Sequence, residues 1–271
     1  MLDDSISHGA TKTEDEHRRD ICAVGRRFHG RGFVASTDGN ISVRLDPRHI
    51  LTTPTGFSKG MMSPDDLVIT DLQGKRISGR GGPSSELAMH LLIYRRRPDV
   101  NAVCHAHPPT ATGYAAAGLP LNEALLAELV VGLGSVPVAP YATPGTAGLS
   151  ESIEPLVQKT DAILMANHGV VTYGPDLLTA FFRMETVEHF AQVSLAVHLL
   201  GRPVLLSREN VEKLLALRIR YGISTEAKVS ADSLVTGETS APSHAPDRLT
   251  LTRAELESLI AEAIRKDRER R

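Results

Sequence analysis

The chain has 271 residues, of which 41% are apolar and 23% are charged, the composition of an ordinary globular protein. Its formal net charge of −2 gives no basic excess for binding nucleic acid or an anionic membrane surface, and tryptophan is absent. The polar N-terminus lacks the order of a signal peptide, and no apolar run approaches the roughly 18 residues of a spanning helix. The two cysteines, Cys22 and Cys104, have no CxxC neighbour, so we expect a cytoplasmic protein without disulfides.

The N-terminal region predicts a flexible tail followed by a capped helix. Residues 1–13 are polar and carry no apolar periodicity, so we expect a tail there. Thr13 and Glu16 then form a capping-box pattern, in which each side chain can bond to the backbone N–H of the other. Apolar residues at helical spacing continue to Phe28, and the helix should end at Gly30.

Strand and helix patterns alternate through the middle of the chain. Short apolar runs bounded by turn residues predict strands at Ile41–Leu45, Ile50–Thr53, Leu67–Asp71, Val100–His107, Ser135–Ala139 and Ala162–Ala166. Helical periodicity predicts helices from Ser85, as the N-cap, to near Pro98, from Pro175 to Leu200, and from Ser207 to Tyr221. This alternation indicates one α/β or α+β domain over residues 14–222.

The composition changes after residue 222. Residues 223–248 are rich in Ser, Thr, Ala and Pro, which predicts a linker. Residues 249–271 then predict an amphipathic helix, opened by a second capping box of Thr252 and Glu255. Its apolar face is formed by Leu256, Leu259, Ile260, Ala263 and Ile264.

Two histidines at the end of an apolar strand indicate a metal site. His105 and His107 are two residues apart, so on a strand both imidazoles point to one face and can share a cation. The alternative is that one imidazole packs in the core and the other caps the next turn. His168, at the end of another apolar strand, would supply a third neutral ligand. Three ligands and an open position are typical of a catalytic zinc site rather than a structural one.

Glu86 is the candidate acid–base residue, because it follows Gly82-Pro83-Ser84-Ser85 at a predicted helix start. The alternative is that its carboxylate only caps the helix. Two polar turns with glycine, Thr37–Asn40 and Pro54–Gly56, could hold a phosphate or carboxylate on exposed N–H groups. Ser84 and Ser85 could add two hydroxyls. Neither turn matches a P-loop or a dinucleotide fingerprint.

Six short motifs occur in a fixed order along the chain. They are GNIS at Gly39–Ser42, TPTG at Thr53–Gly56, SSE at Ser84–Glu86, RPDVNAVCHAH at Arg97–His107, PYATPGT at Pro140–Thr146 and NHG at Asn167–Gly169. Together they resemble the class II aldolase/adducin-head family. The resemblance runs from roughly Asp15 to Gly222, about four-fifths of the chain.

The resemblance implies a fold, a metal site and a phosphate site. The implied fold is a three-layer αβα sandwich around a mostly antiparallel central sheet. A divalent metal, Zn²⁺ by default with Mn²⁺ or Co²⁺ as alternatives, would be held by His105, His107 and His168. Glu86 would ligate the free metal or act as the base. Phosphate would be held by groups matching Thr37, Gly39, Asn40, Thr55, Gly56, Ser84 and Ser85. Members of the family usually form C4 tetramers with active sites between subunits, and Tyr221 matches a tyrosine that reaches a neighbour's site.

The implied reaction is cleavage of a ketose 1-phosphate, L-fuculose 1-phosphate or a similar sugar, to dihydroxyacetone phosphate and a small aldehyde. One departure stands out. A second tyrosine, which protonates the aldehyde oxygen in such aldolases, falls at Leu126, and the titratable groups nearby are Glu123 and Glu128. The alternative is therefore a metal-dependent decarboxylase of a hydroxylated aromatic acid. Epimerases of the family carry aspartate at the position of Glu86, and adducin heads lack the metal histidines.

The predicted C-terminal helix suggests a partner of another kind. A short amphipathic helix after a linker resembles the encapsulation peptides that direct enzymes into bacterial microcompartments. A shell of this type confines volatile aldehydes, which suits the implied reaction. The alternative is that residues 249–271 pack on the protein's own tetramer or are disordered.

Overall fold

The computed structural model describes residues 12–220, 223 and 230–237. All of them belong to one compact unit, which ends at Gly237. Tyr221, the predicted tail before residue 12 and the predicted helix at 249–271 lie outside the described residues. Within the described part, no helix is both long enough and apolar enough to cross a membrane.

An eight-stranded sheet lies at the centre of the described residues. Its strands are β1 (Asn40–Arg44), β2 (His49–Thr52), β3 (Val68–Asp71), β4 (Arg76–Ser78), β5 (Ala102–Ala106), β6 (Val138–Ala139), β7 (Ala162–Met165) and β8 (Gly169–Gly174). The order across the sheet is β4-β3-β2-β1-β5-β8-β7-β6. The pairing of β6 with β7 is parallel, and the strands from β4 to β7 in this order pair antiparallel.

Helices cover both faces of the sheet. They are α1 (Glu14–Gly30), α2 (Leu87–Arg96), α3 (Pro109–Ala116), α4 (Ala127–Gly132), α5 (Ala147–Val157), α6 (Leu177–Leu200) and α7 (Arg208–Arg220). One apolar cluster packs α1, α3 and α6 against one face of the sheet, and a second packs α2 and α5 against the other. The predicted three-layer αβα sandwich is thereby confirmed.

The side chains of β5 alternate between the two apolar clusters. Ala102, Cys104 and Ala106 belong to the cluster with α6, whereas Val103 belongs to the cluster with α2 and α5. Since alternate residues of a strand share a face, His105 points to the α2 side with Val103. The neighbouring residue across the β1–β5 ladder is Asn40. The pleat of the sheet therefore aims a buried histidine and a buried amide at the same helix.

The ends of two helices follow from their sequences. At the start of α1, Thr13 N–H donates to the Glu16 carboxylate (2.7 Å) and Glu16 N–H donates to Thr13 Oγ1 (3.3 Å), so the predicted capping box is confirmed. Helix α6 begins after Asp176, which accepts from Thr179 N–H at 2.8 Å. It ends at Gly201, whose φ of 71° lies in the left-handed region that glycine tolerates.

Residues 230–237 pack onto the domain although composition places them in the predicted linker. Ala231 and Leu234 join a small apolar cluster with residues of α4 and α7. Isolated parallel bridges pair Val235 with Glu123 and Gly237 with Ser207. The few aliphatic side chains in this polar stretch supply the buried contacts, so these residues extend the domain past residue 222.

Asp161 is the centre of a buried ionic network. Its carboxylate is fully buried and lies 2.8 Å from Arg97, 2.9 Å from Arg183 and 3.4 Å from Arg218. Arg97 is also paired with Asp99. The network joins the segment before β5, the start of β7, α6 and α7. Because Asp161 and the three arginines are buried, removing the carboxylate that they share costs more than removing an exposed partner would.

We expect Asp161→Asn to lower the free energy of unfolding by about 3–5 kcal/mol, because it removes the buried negative charge that three guanidinium groups share. Chemical denaturation followed by circular dichroism measures the change. Glu212→Gln is the matched control, since Glu212 forms an exposed pair with Arg208 on α7 and should change stability by about 1 kcal/mol or less. Equal effects of the two substitutions would contradict the role of the network.

Candidate metal and anion site

Three histidines converge where neighbouring strands end. His105 lies in β5, His107 follows that strand, and His168 lies in the turn between β7 and β8. Their ligand atoms all lie within 4.8 Å of one another. His105 Nε2 and His107 Nε2 are 3.1 Å apart. The structure therefore brings together the three side chains that the sequence singles out, and neither histidine of the pair is simply a core residue or a turn cap.

The turn that carries His168 depends on the residues on either side of it, Asn167 and Gly169. Asn167 has a φ of 55°, in the left-handed region. A Cβ on Gly169 would lie 2.5 Å from the His107 ring and 2.7 Å from the Ala106 carbonyl oxygen. Only glycine allows β8 to approach the end of β5 this closely. The NHG sequence thus places His168 against His105.

The orientation of His105 is fixed by the backbone of β8. Its Nδ1 donates a hydrogen bond to the Val170 carbonyl oxygen at 2.9 Å. In the neutral ring, a proton on Nδ1 leaves the lone pair on Nε2, which faces the other two histidines. A carbonyl that orients the far side of an imidazole in this way is typical of metal-binding histidines.

Glu86 completes the cluster. Its Oε2 lies 3.2 Å from His105 Nε2, and its Oε1 lies 3.1 Å from His168 Nε2. Asn40 Nδ2 donates to Oε2 at 2.8 Å. Helix α2 begins at Leu87, and the Glu86 side chain makes no capping hydrogen bond. The carboxylate therefore belongs to the histidine cluster, and the alternative that it only caps the helix is wrong.

The prediction that Ser85 is the N-cap of this helix is also wrong. Glu86 occupies that position, with φ −103° and ψ 12°, and its N–H donates to Ser84 Oγ at 3.3 Å. The backbone of Glu86 is not helical, and its side chain bonds to Asn40 and faces the histidines, so the regular helix starts at Leu87.

The charge state of the cluster suits a divalent cation. Burial raises the pKa of the Glu86 carboxyl, but His105 and His168 lower it more, so the pKa lies well below its ordinary range. Burial and the same two neighbours lower the pKa of His107 to about 4. At neutral pH the site thus offers a carboxylate and a neutral His107 imidazole. Three imidazoles and one carboxylate that face the same point can coordinate a divalent cation. Histidine and carboxylate ligands of this kind are typical of catalytic zinc sites.

A buried polar chain joins β1 to α2 close to Glu86 in the sequence of that helix. Ser42 Oγ lies 2.7 Å from His90 Nδ1 and 2.8 Å from the Tyr94 hydroxyl. Burial lowers the pKa of His90 to about 3, so its imidazole is neutral. His90 is one helical turn after Glu86, and that spacing is the signal that sequence reasoning did not use.

The predicted anion-binding turns lie side by side. Pro54 and Pro83 form an isolated bridge, Thr55 N–H donates to the Gly82 carbonyl at 3.1 Å, and Ser84 N–H donates to the Thr53 carbonyl at 3.2 Å. These bonds place Thr55 and Gly56 beside Ser84 and Ser85. The PYATPGT loop also comes close, because a Cβ on Gly145 would lie 3.8 Å from Ser85 Cβ.

The turn before β1 reaches the histidines directly. Gly39 has a φ of 71°, and a Cβ there would lie 2.7 Å from the His105 carbonyl oxygen. The amide of Asn40, a predicted phosphate ligand, donates to Glu86. The carboxylate of Asp38 lies 3.5 Å from His107 Nδ1, a contact that the sequence did not indicate. Thr37 is the remaining predicted ligand in this turn, and its carbonyl accepts from Lys59 at 2.7 Å.

The residues around the position of the missing tyrosine face other parts of the domain. Leu126 packs against the apolar cluster of α6. Glu123 lies 3.3 Å from His198 on α6, and Glu128 is exposed.

The fold and the site define a family. Residues 19–195 match the family model described as the class II aldolase and adducin N-terminal domain, and the chain belongs to this family. A 5-deoxy-D-ribulose 1-phosphate aldolase of Bacillus thuringiensis serovar kurstaki is 34% identical, over 76% of this chain and 97% of that protein. A 3-oxo-tetronate 4-phosphate decarboxylase of Pectobacterium atrosepticum is 35% identical, over 69% of this chain and 87% of that protein.

Solved structures agree with these relatives. An L-fuculose 1-phosphate aldolase is 31% identical and superposes with a TM-score of 0.71, over 77% of this chain and 99% of that chain. The relatives are lyases that, by their names, act on phosphorylated sugars or phosphorylated sugar acids.

We expect His105→Ala to weaken binding of a divalent metal by more than about 100-fold. Losing a residue that only hydrogen-bonds to a metal ligand typically lowers metal affinity by about 10- to 100-fold, and losing the ligand itself should cost more. Metal content after dialysis against limiting zinc, measured by plasma mass spectrometry, tests this. The matched control is His49→Ala, at the start of β2, where the imidazole pairs with Asp46 and not with the cluster. Equal metal content in both variants would contradict the assignment.

Proposed function

We propose that the protein is a divalent-metal-dependent aldolase that cleaves a ketose 1-phosphate to dihydroxyacetone phosphate and a small aldehyde. The observation that carries the proposal is the Glu86 carboxylate between His105 and His168, beside polar turns suited to a phosphate. Relatives named as aldolases of L-fuculose phosphate and 5-deoxy-D-ribulose 1-phosphate support this substrate class. Zinc is the metal that we propose, with manganese and cobalt as alternatives.

We assign metal binding to the three histidines and proton transfer to Glu86. A divalent cation on His105, His107 and His168 would polarise the carbonyl oxygen and stabilise negative charge that develops on cleavage. When the C3–C4 bond breaks, the C4 hydroxyl loses its proton and becomes the aldehyde, while the bonding electrons remain with C3. The Glu86 carboxylate accepts the proton that the C4 hydroxyl loses and delivers it to C3, and the hydrogen bond from Asn40 holds the carboxylate in place.

The polar turns would hold the phosphate at the other end of the substrate. Backbone N–H groups of the turns and the hydroxyls of Ser84 and Ser85 are the proposed donors. We propose that Tyr221 orients or protonates the aldehyde in the site of a neighbouring subunit. This role requires an oligomer, and exposed leucines near the end of α6 support one, since Leu199 and Leu200 are 80% and 78% exposed. A C4 homotetramer is the assembly that we propose.

The second candidate is decarboxylation, which also leaves an electron pair on carbon beside a carbonyl. Two observations favour it. Relatives at 35% and 36% identity are named 3-oxo-tetronate 4-phosphate decarboxylases. Leu126 also stands where the aldolases would place a tyrosine that protonates the aldehyde, and a decarboxylase has no aldehyde to protonate. These relatives favour a phosphorylated acid over the aromatic acid that the sequence left open.

The predicted C-terminal helix, which lies outside the described residues, and the cellular location also belong to the proposal. We place the protein in the cytoplasm, with residues 249–271 directing it into a microcompartment through a shell protein. The amphipathic pattern of Leu256, Leu259 and Ile260 supports this partner.

We expect the metal-loaded protein to release dihydroxyacetone phosphate from at least one of L-fuculose, L-rhamnulose and 5-deoxy-D-ribulose 1-phosphates. Glu86→Gln should lower kcat by about 100-fold or more, because the amide cannot carry the proton. Coupled oxidation of NADH by glycerol-3-phosphate dehydrogenase measures release, and metal content is determined in parallel. Glu128→Gln, on an exposed residue of α4, is the control.

The products separate the two candidates. Release of carbon dioxide from a 3-oxo acid 4-phosphate, without cleavage of any ketose 1-phosphate, would replace the aldolase with the decarboxylase. Full turnover by Glu86→Gln would contradict the role of Glu86 in either reaction.

Deletion of residues 249–271 should leave kcat unchanged but abolish co-purification with shell protein. Fusing the same residues to a fluorescent protein should direct that protein into shells. Loss of activity on deletion, with a fusion that stays outside shells, would contradict encapsulation and favour packing of the helix on its own tetramer.

A further inference from the structure

A buried lysine joins the two turns that carry the proposed phosphate ligands. Lys59 is only 1% exposed. Its ammonium donates to the Thr37 carbonyl oxygen at 2.7 Å and to the Phe57 carbonyl oxygen at 2.6 Å. The first carbonyl belongs to the turn before β1, and the second follows Gly56 after β2. One cation thus links segments that are 22 residues apart along the chain.

The main chain around Lys59 packs closely against α1, and this packing fixes the direction of the Lys59 side chain. A Cβ on Gly25 of α1 would lie 2.5 Å from the Lys59 carbonyl oxygen. On the other side, a Cβ on Gly60 would lie 2.7 Å from the His29 ring. Both glycines allow close packing at these points. Lys59 therefore differs from a surface lysine, whose ammonium samples many positions.

The positive charge of Lys59 is incompletely balanced. Its two hydrogen-bond partners are neutral carbonyls, and within the described residues it forms no ion pair with a carboxylate. Burial of an ammonium without a counter-ion is costly, and carbonyl dipoles offset only part of that cost. The carboxylates of Asp38 and Glu86 act on it only at longer range. An anion that binds between the two turns would supply the missing countercharge.

The hydrogen bonds also remove a source of repulsion. A carbonyl oxygen that faces an anion site repels the anion, whereas a backbone N–H attracts it. By drawing the Thr37 and Phe57 oxygens to one ammonium, Lys59 keeps both away from such a ligand.

We propose that Lys59 is the positioning residue that makes this site select a phosphate, by holding the two turns at a fixed separation and by supplying the charge that a phosphate dianion balances. The proposal rests on the proposed function in one respect, the identity of the phosphorylated substrate. Lys59 is not one of the predicted phosphate ligands. Its proposed role is to make the site prefer phosphorylated sugars to unphosphorylated ones.

The test measures binding of inorganic phosphate, so it does not depend on turnover. Calorimetry on the metal-loaded protein gives the Kd for phosphate for wild type, Lys59→Met and Lys59→Arg. We expect Lys59→Met to weaken binding by about 10-fold or more, the size expected for losing one unit charge several ångströms away at an effective dielectric constant near 20. Lys59→Arg keeps the charge and the donors, so it should restore most of the affinity. Repeating the titration on His105→Ala separates phosphate bound in the turns from phosphate bound on the metal.

Two further readouts exclude a merely structural role. Metal content of Lys59→Met should match wild type, and with a ketose 1-phosphate its KM should rise more than its kcat falls. If Lys59→Met fails to fold, Lys59→Gln, which keeps a donor but not the charge, should show the same weakening. A folded, metal-loaded Met or Gln variant that binds phosphate like wild type would overturn the proposal. So would parallel loss of metal and phosphate in both variants.

Discussion

The pairing of β5 with β1 on one side and β8 on the other is the constraint on which the site depends. This ladder puts Asn40 opposite His105 and lets the Val170 carbonyl hold the His105 imidazole. Gly169 allows β8 to come close enough for His168 to face the same point. Glu86 arrives from the start of α2, on the face of the sheet to which His105 points. A slip of one residue in either ladder would turn His105 into the opposite apolar layer.

Charges are arranged differently in the core and at the site. In the core, Asp161 lies within ion-pair distance of Arg97, Arg183 and Arg218. At the site, Glu86 faces histidines, and Lys59 is bonded only to carbonyls. Both groups leave charge that a cation and an anion can balance. The Glu86 carboxylate and the Lys59 ammonium thus place one buried charge of each sign where we propose that metal and phosphate bind.

Much of the fold and the metal cluster could be predicted because the signals are local. The capping box of α1, the apolar strands and the H-x-H pair each lie within a few residues. The sequence patterns do not predict the strand Gly169–Gly174, because it is only six residues long and glycine, which is uncommon in strands, stands at both of its ends. Helices α3 to α5, at 6 to 11 residues, are too short for periodicity to identify.

The remaining features depend on contacts between distant segments. No local pattern shows that the Asn40 amide binds Glu86, or that Lys59 bridges two turns, because each bond joins residues far apart in the chain. The packing of Ala231 and Leu234 also needs partners on α4 and α7. Family resemblance supplied the ligand set, but it does not decide between aldol cleavage and decarboxylation, since relatives of both kinds have similar identity.

We propose that catalysis requires a metal held by the histidine cluster. The most direct measurement strips the protein with a chelator, then adds zinc, manganese or cobalt back in steps while following cleavage of its substrate. Activity should be absent without metal and should rise in proportion to metal bound, reaching its plateau near about one ion per chain. Undiminished turnover by protein shown to contain no metal would contradict the account.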